Sequence, residues 1–186
     1  MPFGIELLFD PQMDKSIRAI WRKLDKEKIP TPLHRDNPHV TLSAFDDANM
    51  KVVEVRCRTV AAKFPPLTAC FESIGSFTNE RVLFLAPVVT PELLDIHEKV
   101  HRAIGPLVKG HSHYYLPGYC WAPHCTLTMA KSDRNYLKGF KVMRDIPIGW
   151  KGYFTRLEAH EYELLKGGFF KRLRTVFSAT LRRKQR

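Results

Sequence analysis

The chain has 186 residues, 44% of them hydrophobic and 26% charged, the balance of an ordinary globular protein with room for one domain and its core. Lys and Arg outnumber Asp and Glu by 30 to 19, a formal net charge of +11, which favours a polyanionic partner, nucleic acid first among them. No apolar run approaches the length of a bilayer span and no charged n-region with a long apolar stretch opens the chain, so neither a membrane nor an exported protein is expected.

In chain order, residues 3–9 (FGIELLF) read as a strand, and Pro11 to Lys28 as a helix with Ile17, Ile20, Trp21 and Leu24 on one face. A proline-rich loop leads to a second strand, HVTLSAF, at 39–45. Residues 49–64 are predicted helical; Leu67 to Phe77 and Arg81 to Val89 form a hairpin around ThrAsnGlu. Pro91 opens a helix predicted to run through Val108, with Pro in the first turn, where its missing N–H costs nothing. An aromatic loop with Gly and Pro then leads to the strand HCTLTMA, a shorter helix from Arg134 to Met143, and two closing strands at 152–165 and 172–181. Each half therefore runs strand, helix, strand, helix, strands. That order predicts an α+β, bilobal, pseudo-twofold domain over 1–181, followed by a solvated basic tail at 182–186. Cys57, Cys70, Cys120 and Cys125 have no CxxC spacing and are expected as free thiols in a reducing cytoplasm.

Two of those strands begin alike: PHVTL at Pro38 to Leu42 and PHCTL at Pro123 to Leu127. A single such copy should arise by accident in roughly one chain of this length in a thousand, and two far less often. Side chains alternate along a strand, so His39 shares a face with Thr41, and His124 with Thr126. Val40, Leu42, Cys125 and Leu127 take the opposite, core-facing side. Paired imidazoles suit proton shuttling, because histidine's ordinary pKa lets one donate and the other accept near neutral pH.

Paired HxT strands 85 residues apart in a basic chain of this length resemble the 2H phosphoesterase superfamily, specifically the 2′-5′ RNA ligase family. The resemblance covers most of the chain and rests on PHVTL, the hairpin SFTNERVLFL at 76–85, and WAPHCTL at 121–127. It implies two antiparallel sheets facing a central cleft with helices outside. It implies metal-independent hydrolysis of 2′,3′-cyclic phosphate ends of RNA or nucleotides to 2′-phosphates, with 2′-5′ ligation in some members. His39 would be the proton donor, His124 the proton acceptor, and Thr41 and Thr126 the phosphate contacts; the near symmetry of the motifs leaves the two histidine roles interchangeable. No cofactor, metal or obligate protein partner is implied, and a monomer is expected. Family members often carry Arg near position 129; here Met129 stands there and the first cation is Lys131. Lys131 and Tyr119 are the candidate substrate-binding residues outside the motifs, and Tyr114 and Tyr115 could also stack a base.

Two other readings compete. HEKVH at 97–101 places His97 and His101 one helical turn apart, as in zinc hydrolases, with Glu98 as base. Against it, Leu93, Ile96, Val100, Ile104 and Leu107 make that helix an apolar core element. The other is a non-catalytic nucleotide- or RNA-binding module, which would not need two symmetric titratable groups. His111 and His113 read as solvated loop residues, and Trp121 as packing beneath the second motif strand.

Overall fold

The computed structural model describes residues 2–33, 36–165 and 170–182. Of the basic tail, only Arg182 falls within them. The first part of the chain forms β1 (Phe3–Phe9), α1 (Pro11–Lys26), β2 (His39–Phe45), β3 (Asp47–Ala48) and α2 (Met50–Ala61). The second part forms β4 (Leu67–Phe77), β5 (Val82–Pro87), α3 (Pro91–Ile104), β6 (Val108–Lys109), β7 (Cys125–Met129) and α4 (Asp133–Arg144). Two long strands, β8 (Trp150–Leu164) and β9 (Phe170–Thr180), close the fold.

The helices start on chemistry legible in the chain. Asp10 caps α1 by accepting from the Gln12 and Met13 amides, and Thr90 caps α3 by accepting from Leu93. Each has Pro at its first position. Both stop earlier than the periodicity suggested. Beyond α1, Lys28 turns left-handed at φ 58°. Past α3, Pro106 has no amide to continue the ladder, so Gly105–Leu107 tighten into a 3₁₀ turn. The residues that follow form β6, which pairs with β3 in a two-stranded ladder that the sequence pattern did not announce.

All strand pairs are antiparallel, in the order β2-β1-β8-β4-β5-β7. The expected two sheets share one strand. Residues 150–154 of β8 pair with β4, while 156–164 pair with β9 along the same edge. The lobes β2-β1-β8-β9 and β8-β4-β5-β7 thereby join along β8. Helix α1 packs on β1, β7 and β8, α2 on α3, β8 and β9, and α4 on β5. Between these layers lies a continuous apolar core that includes Trp21, Leu42, Phe45, Phe71, Leu127 and Phe154. Each fully buried large side chain there stabilises the fold by about 1.5–3 kcal/mol.

Candidate active site

The lobes repeat each other at the level of register. In the first, Glu6 of β1 stands opposite Thr41 of β2, with a pairing irregularity between Ile5 and Glu6. In the second, Phe84 of β5 stands opposite Thr126 of β7, with the irregularity between Leu83 and Phe84. The two HxT segments thus occupy equivalent places at the two ends of the sheet. Their burial alternates as expected: Val40, Leu42, Cys125 and Leu127 are fully buried. His39, Thr41, His124 and Thr126 all line one cavity of about 470 Å³. Cys125 faces away from it, and burial pushes its thiol up to about 12, which removes it as a nucleophile.

Each imidazole is oriented the same way. The Nδ1–H of His39 donates to the Asn37 carbonyl and that of His124 to the Ala122 carbonyl, both at 2.8 Å. This fixes the tautomer and leaves Nε2 of each ring for a ligand. The strands are tied across the lobes in matching fashion. Trp21 Nε1 donates to the Thr126 carbonyl at 3.0 Å, and Trp121 Nε1 to the Thr41 carbonyl at 3.1 Å. One residue past each motif, Thr128 Oγ1 donates to the Pro30 carbonyl and Ser43 Oγ bonds His111 Nε2.

The surroundings of the two histidines differ. Glu6 Oε1 lies 3.7 Å from His39 Nε2, and Asp36 Oδ2 lies 3.7 Å from its Nδ1. Burial pulls the His39 pKa down, but the Glu6 and Asp36 carboxylates outweigh it, and the net shift is upward. Around His124 stand the rings of Phe77 and Phe84, with centroids 4.9 and 5.3 Å away. Burial lowers its pKa, His39 adds repulsion, and the bond to Ala122 only partly opposes them. His39 is therefore the ring that favours the imidazolium form and His124 the one that favours neutrality.

Glu6 belongs to a buried polar network. His160 Nδ1 reaches Glu6 Oε2 at 2.6 Å, and its Nε2 reaches Glu158 Oε2 at 2.9 Å. Tyr162 donates to Glu6 Oε1 at 2.6 Å, and Ser178 donates to Glu158 Oε1. Burial would raise Glu6, yet His39, His160 and Tyr162 together hold it down to about 2. Burial would lower His160, yet its bonds to Glu158 and Glu6 raise it to about 9. Gly4 makes room for this arrangement, since a Cβ there would meet Glu6 Oε1 at 2.7 Å. None of these network residues was singled out from the sequence. The available signals were a lone Glu inside the apolar run FGIELLF, and Glu158, His160 and Tyr162 alternating onto one face of a strand.

The other candidates are placed as follows. Tyr114, Tyr115 and Met129 line the cavity; Tyr119 and Lys131 are not among its walls. Tyr119 is exposed, its ring edge-on to His113. His97 and His101 lie off the cavity, on the core face of α3. Their Nε2 atoms bond the carbonyls of Tyr115 and Leu42, at 2.7 and 2.8 Å. Trp121 stacks on His97 at 3.6 Å, and His111 stacks on His101, so His111 is packed where a solvated loop residue was expected. The loop folds back onto β2, and the histidines of HEKVH act as its packing surface. Among the described residues no group of three or more His, Cys, Asp or Glu could hold a metal ion, and no helix is long and apolar enough to cross a membrane.

A sheet closed by two equivalent HxT segments around one cavity defines the two-histidine phosphoesterase class. The chain belongs to the 2′-5′ RNA ligase superfamily, whose model matches residues 9–163. No curated protein sequence matches it. Among solved structures it is similar to TT0787 of Thermus thermophilus, at 17% identity over the whole of both chains with a TM-score of 0.68. It is also similar to Escherichia coli LigT, in apo form (15% identity, TM-score 0.65) and complexed with 3′-AMP (16%, TM-score 0.63), each covering 98% of both chains. At these identities the likeness speaks to the fold alone.

Proposed function

We propose that the chain is a metal-independent phosphodiesterase that opens 2′,3′-cyclic phosphate ends of RNA or nucleotides to 2′-phosphates. The observation that carries this reading is the pair of tautomer-fixed imidazoles at one cavity, one shifted toward the charged form and the other toward neutrality. Neutral His124 Nε2 takes a proton from water as the water oxygen bonds to phosphorus. The bond from phosphorus to the 3′ oxygen breaks in line, and His39 Nε2 delivers its proton to that oxygen. A 2′-phosphomonoester and a free 3′ hydroxyl result, and proton exchange with solvent resets both rings. Thr41 and Thr126 donate to the non-bridging oxygens, and the imidazolium supplies the positive charge that the transition state calls for. Each proton transfer contributes roughly 10²- to 10⁴-fold in rate. A 5′ hydroxyl in place of water would give a 2′-5′ linkage by the same route.

The family match and the net charge of +11 support RNA or a nucleotide as the substrate class, with Tyr114 and Tyr115 as walls for a base. The strand β8, shared by both lobes, supports residues 1–181 acting as one unit. The four free thiols fit a cytoplasmic setting. The deciding assay offers 2′,3′-cyclic nucleotides and RNA ends to the protein in EDTA and identifies the phosphate position in the product. Turnover to a 2′-phosphate is expected. Tight binding without turnover would instead make it a nucleotide-binding module, and activity lost to EDTA but restored by zinc would reopen HEKVH.

A further inference from the structure

The pseudo-twofold relation predicts two interchangeable histidines, yet the residues opposite the two motif threonines are not alike. Glu6 faces Thr41, and Phe84 faces Thr126, at equivalent points of register. We propose that Glu6 is the positioning residue that gives His39 the acid's role, and that Phe84, in the matching place, leaves His124 free to act as base. The inference rests on the acid–base reading above and deepens it.

The geometry is one-sided. Glu6 is 1% exposed and its Oε1 stands 3.7 Å from the ring nitrogen that would meet the leaving oxygen. An opposite charge within about 4–6 Å favours the ionised ring. Glu6 can hold that charge in a buried place because His160 and Tyr162 satisfy its remaining lone pairs, both at 2.6 Å. His160 is in turn braced by Glu158, which also takes Ser178 Oγ and pairs with Arg156 at 3.2 Å. The chain of partners thus runs from the surface inward along one face of β8 and ends at the catalytic ring.

Other groups facing His39 act beside Glu6. Asp36, before β2, also favours the imidazolium from 3.7 Å, while burial raises its own pKa, His39 opposes that rise and Glu6 adds to it. From β8, His160 opposes protonation of His39, and so weakens the effect it helps to arrange. Tyr162 is kept a neutral donor by burial and by the Glu6 charge, and so is Tyr115, which lies beside Thr41. Arg172 of β9 opposes protonation of His160. At the same cavity, His124 packs against the rings of Phe77 and Phe84 and is repelled by the charge on His39. An aromatic ring attracts a cation far less than a full carboxylate charge does, so burial prevails there.

The test is an NMR titration of the imidazole nitrogens in the substrate-free full chain, compared with the pH profile of kcat/KM. In the native protein His39 should titrate above 6.5 and His124 below it. Glu6→Gln should lower the His39 midpoint by at least one pH unit, about tenfold in proton affinity. The alkaline limb of kcat/KM should move down with it while the acid limb stays. Glu6→Asp should restore part of the shift, and it serves should Glu6→Gln not fold. A His39 midpoint unmoved in either variant, or a native His39 titrating below His124, overturns the proposal. A purely structural role would lower Tm and leave both midpoints in place. The titrations need no substrate, so failure of the cyclic-phosphate reading shows as absent turnover with the midpoints as expected. Failure of the Glu6 proposal shows as unmoved midpoints in active enzyme.

Discussion

His39→Ala and His124→Ala should each lower kcat on a cyclic phosphate by about 10²- to 10⁴-fold, with folding intact by circular dichroism. The double variant should lose little more, because one missing proton transfer already stops the concerted step. Thr41→Ala and Thr126→Ala should cost less, about 1.5–3 kcal/mol each for a charge-assisted hydrogen bond. The pH profile has a definite sense. On the proposed mechanism His124 acts neutral and its pKa is shifted below the ordinary 6.5, so activity should fall as pH drops through that lowered pKa. His39 acts protonated and its pKa is shifted upward, so activity should also fall in the alkaline range. The result is a bell that brackets 6.5. Kinetics alone assigns its limbs to the pair, and the histidine titrations assign them to residues. A bell lying wholly above or wholly below 6.5 would contradict these environments.

At the scale of elements, the motif strands are held from behind by side chains of distant segments. β2 receives Trp121 at the Thr41 carbonyl, His101 at the Leu42 carbonyl and His111 at the Ser43 hydroxyl. Trp121→Phe keeps most of the packing and deletes one hydrogen bond. It should cost roughly 1 kcal/mol in urea denaturation, with kcat reduced through looser placement of Thr41. Trp21→Phe should do the same for Thr126. His97→Ala removes the ring on which Trp121 stacks, so stability should drop while the pH profile keeps both limbs and turnover remains EDTA-resistant. Abolished activity in folded His97→Ala would show that α3 does more than pack.

For the whole molecule, stability against pH follows from histidines shifted in opposite directions. His160 is raised from 6.5 to about 9, so its contribution is complete below about 6.5 and is lost as pH rises toward 9. His101 is lowered to about 4, chiefly by burial, so its contribution is complete above about 6.5 and is lost as pH falls toward 4. Glu6, held at about 2, adds stability that disappears only in stronger acid, from about 4.5 downward. Thermal melts should therefore peak near pH 6.5 and decline on both sides. His160→Gln should flatten the alkaline decline, and a decline equally steep in that variant would remove His160 as its cause.

Much of this was written in local pattern. Both HxT segments, the caps of α1 and α3, the apolar faces of those helices and the pseudo-twofold order of elements depend on residues within a turn or a strand of each other. Such features survive whatever the rest of the chain does. Local sequence also excluded Cys125, because alternation along one strand decides which way it faces. Tertiary structure decided what depends on register. That Glu6 meets Thr41, His160 and His39 follows from β1 pairing with β2 on one side and β8 on the other, a joining of segments 154 residues apart. Of the candidates the sequence offered around the second motif, the same folding set Tyr114 and Tyr115 in the cavity wall and Tyr119 and Lys131 off it, because the orientation of a loop is set by what it packs on. The duplicated motifs named two equivalent proton carriers. Only the packing, with a carboxylate at one and two phenyl rings at the other, made them unequal, since a charge alters a ring's proton affinity only when the fold carries it within a few ångströms.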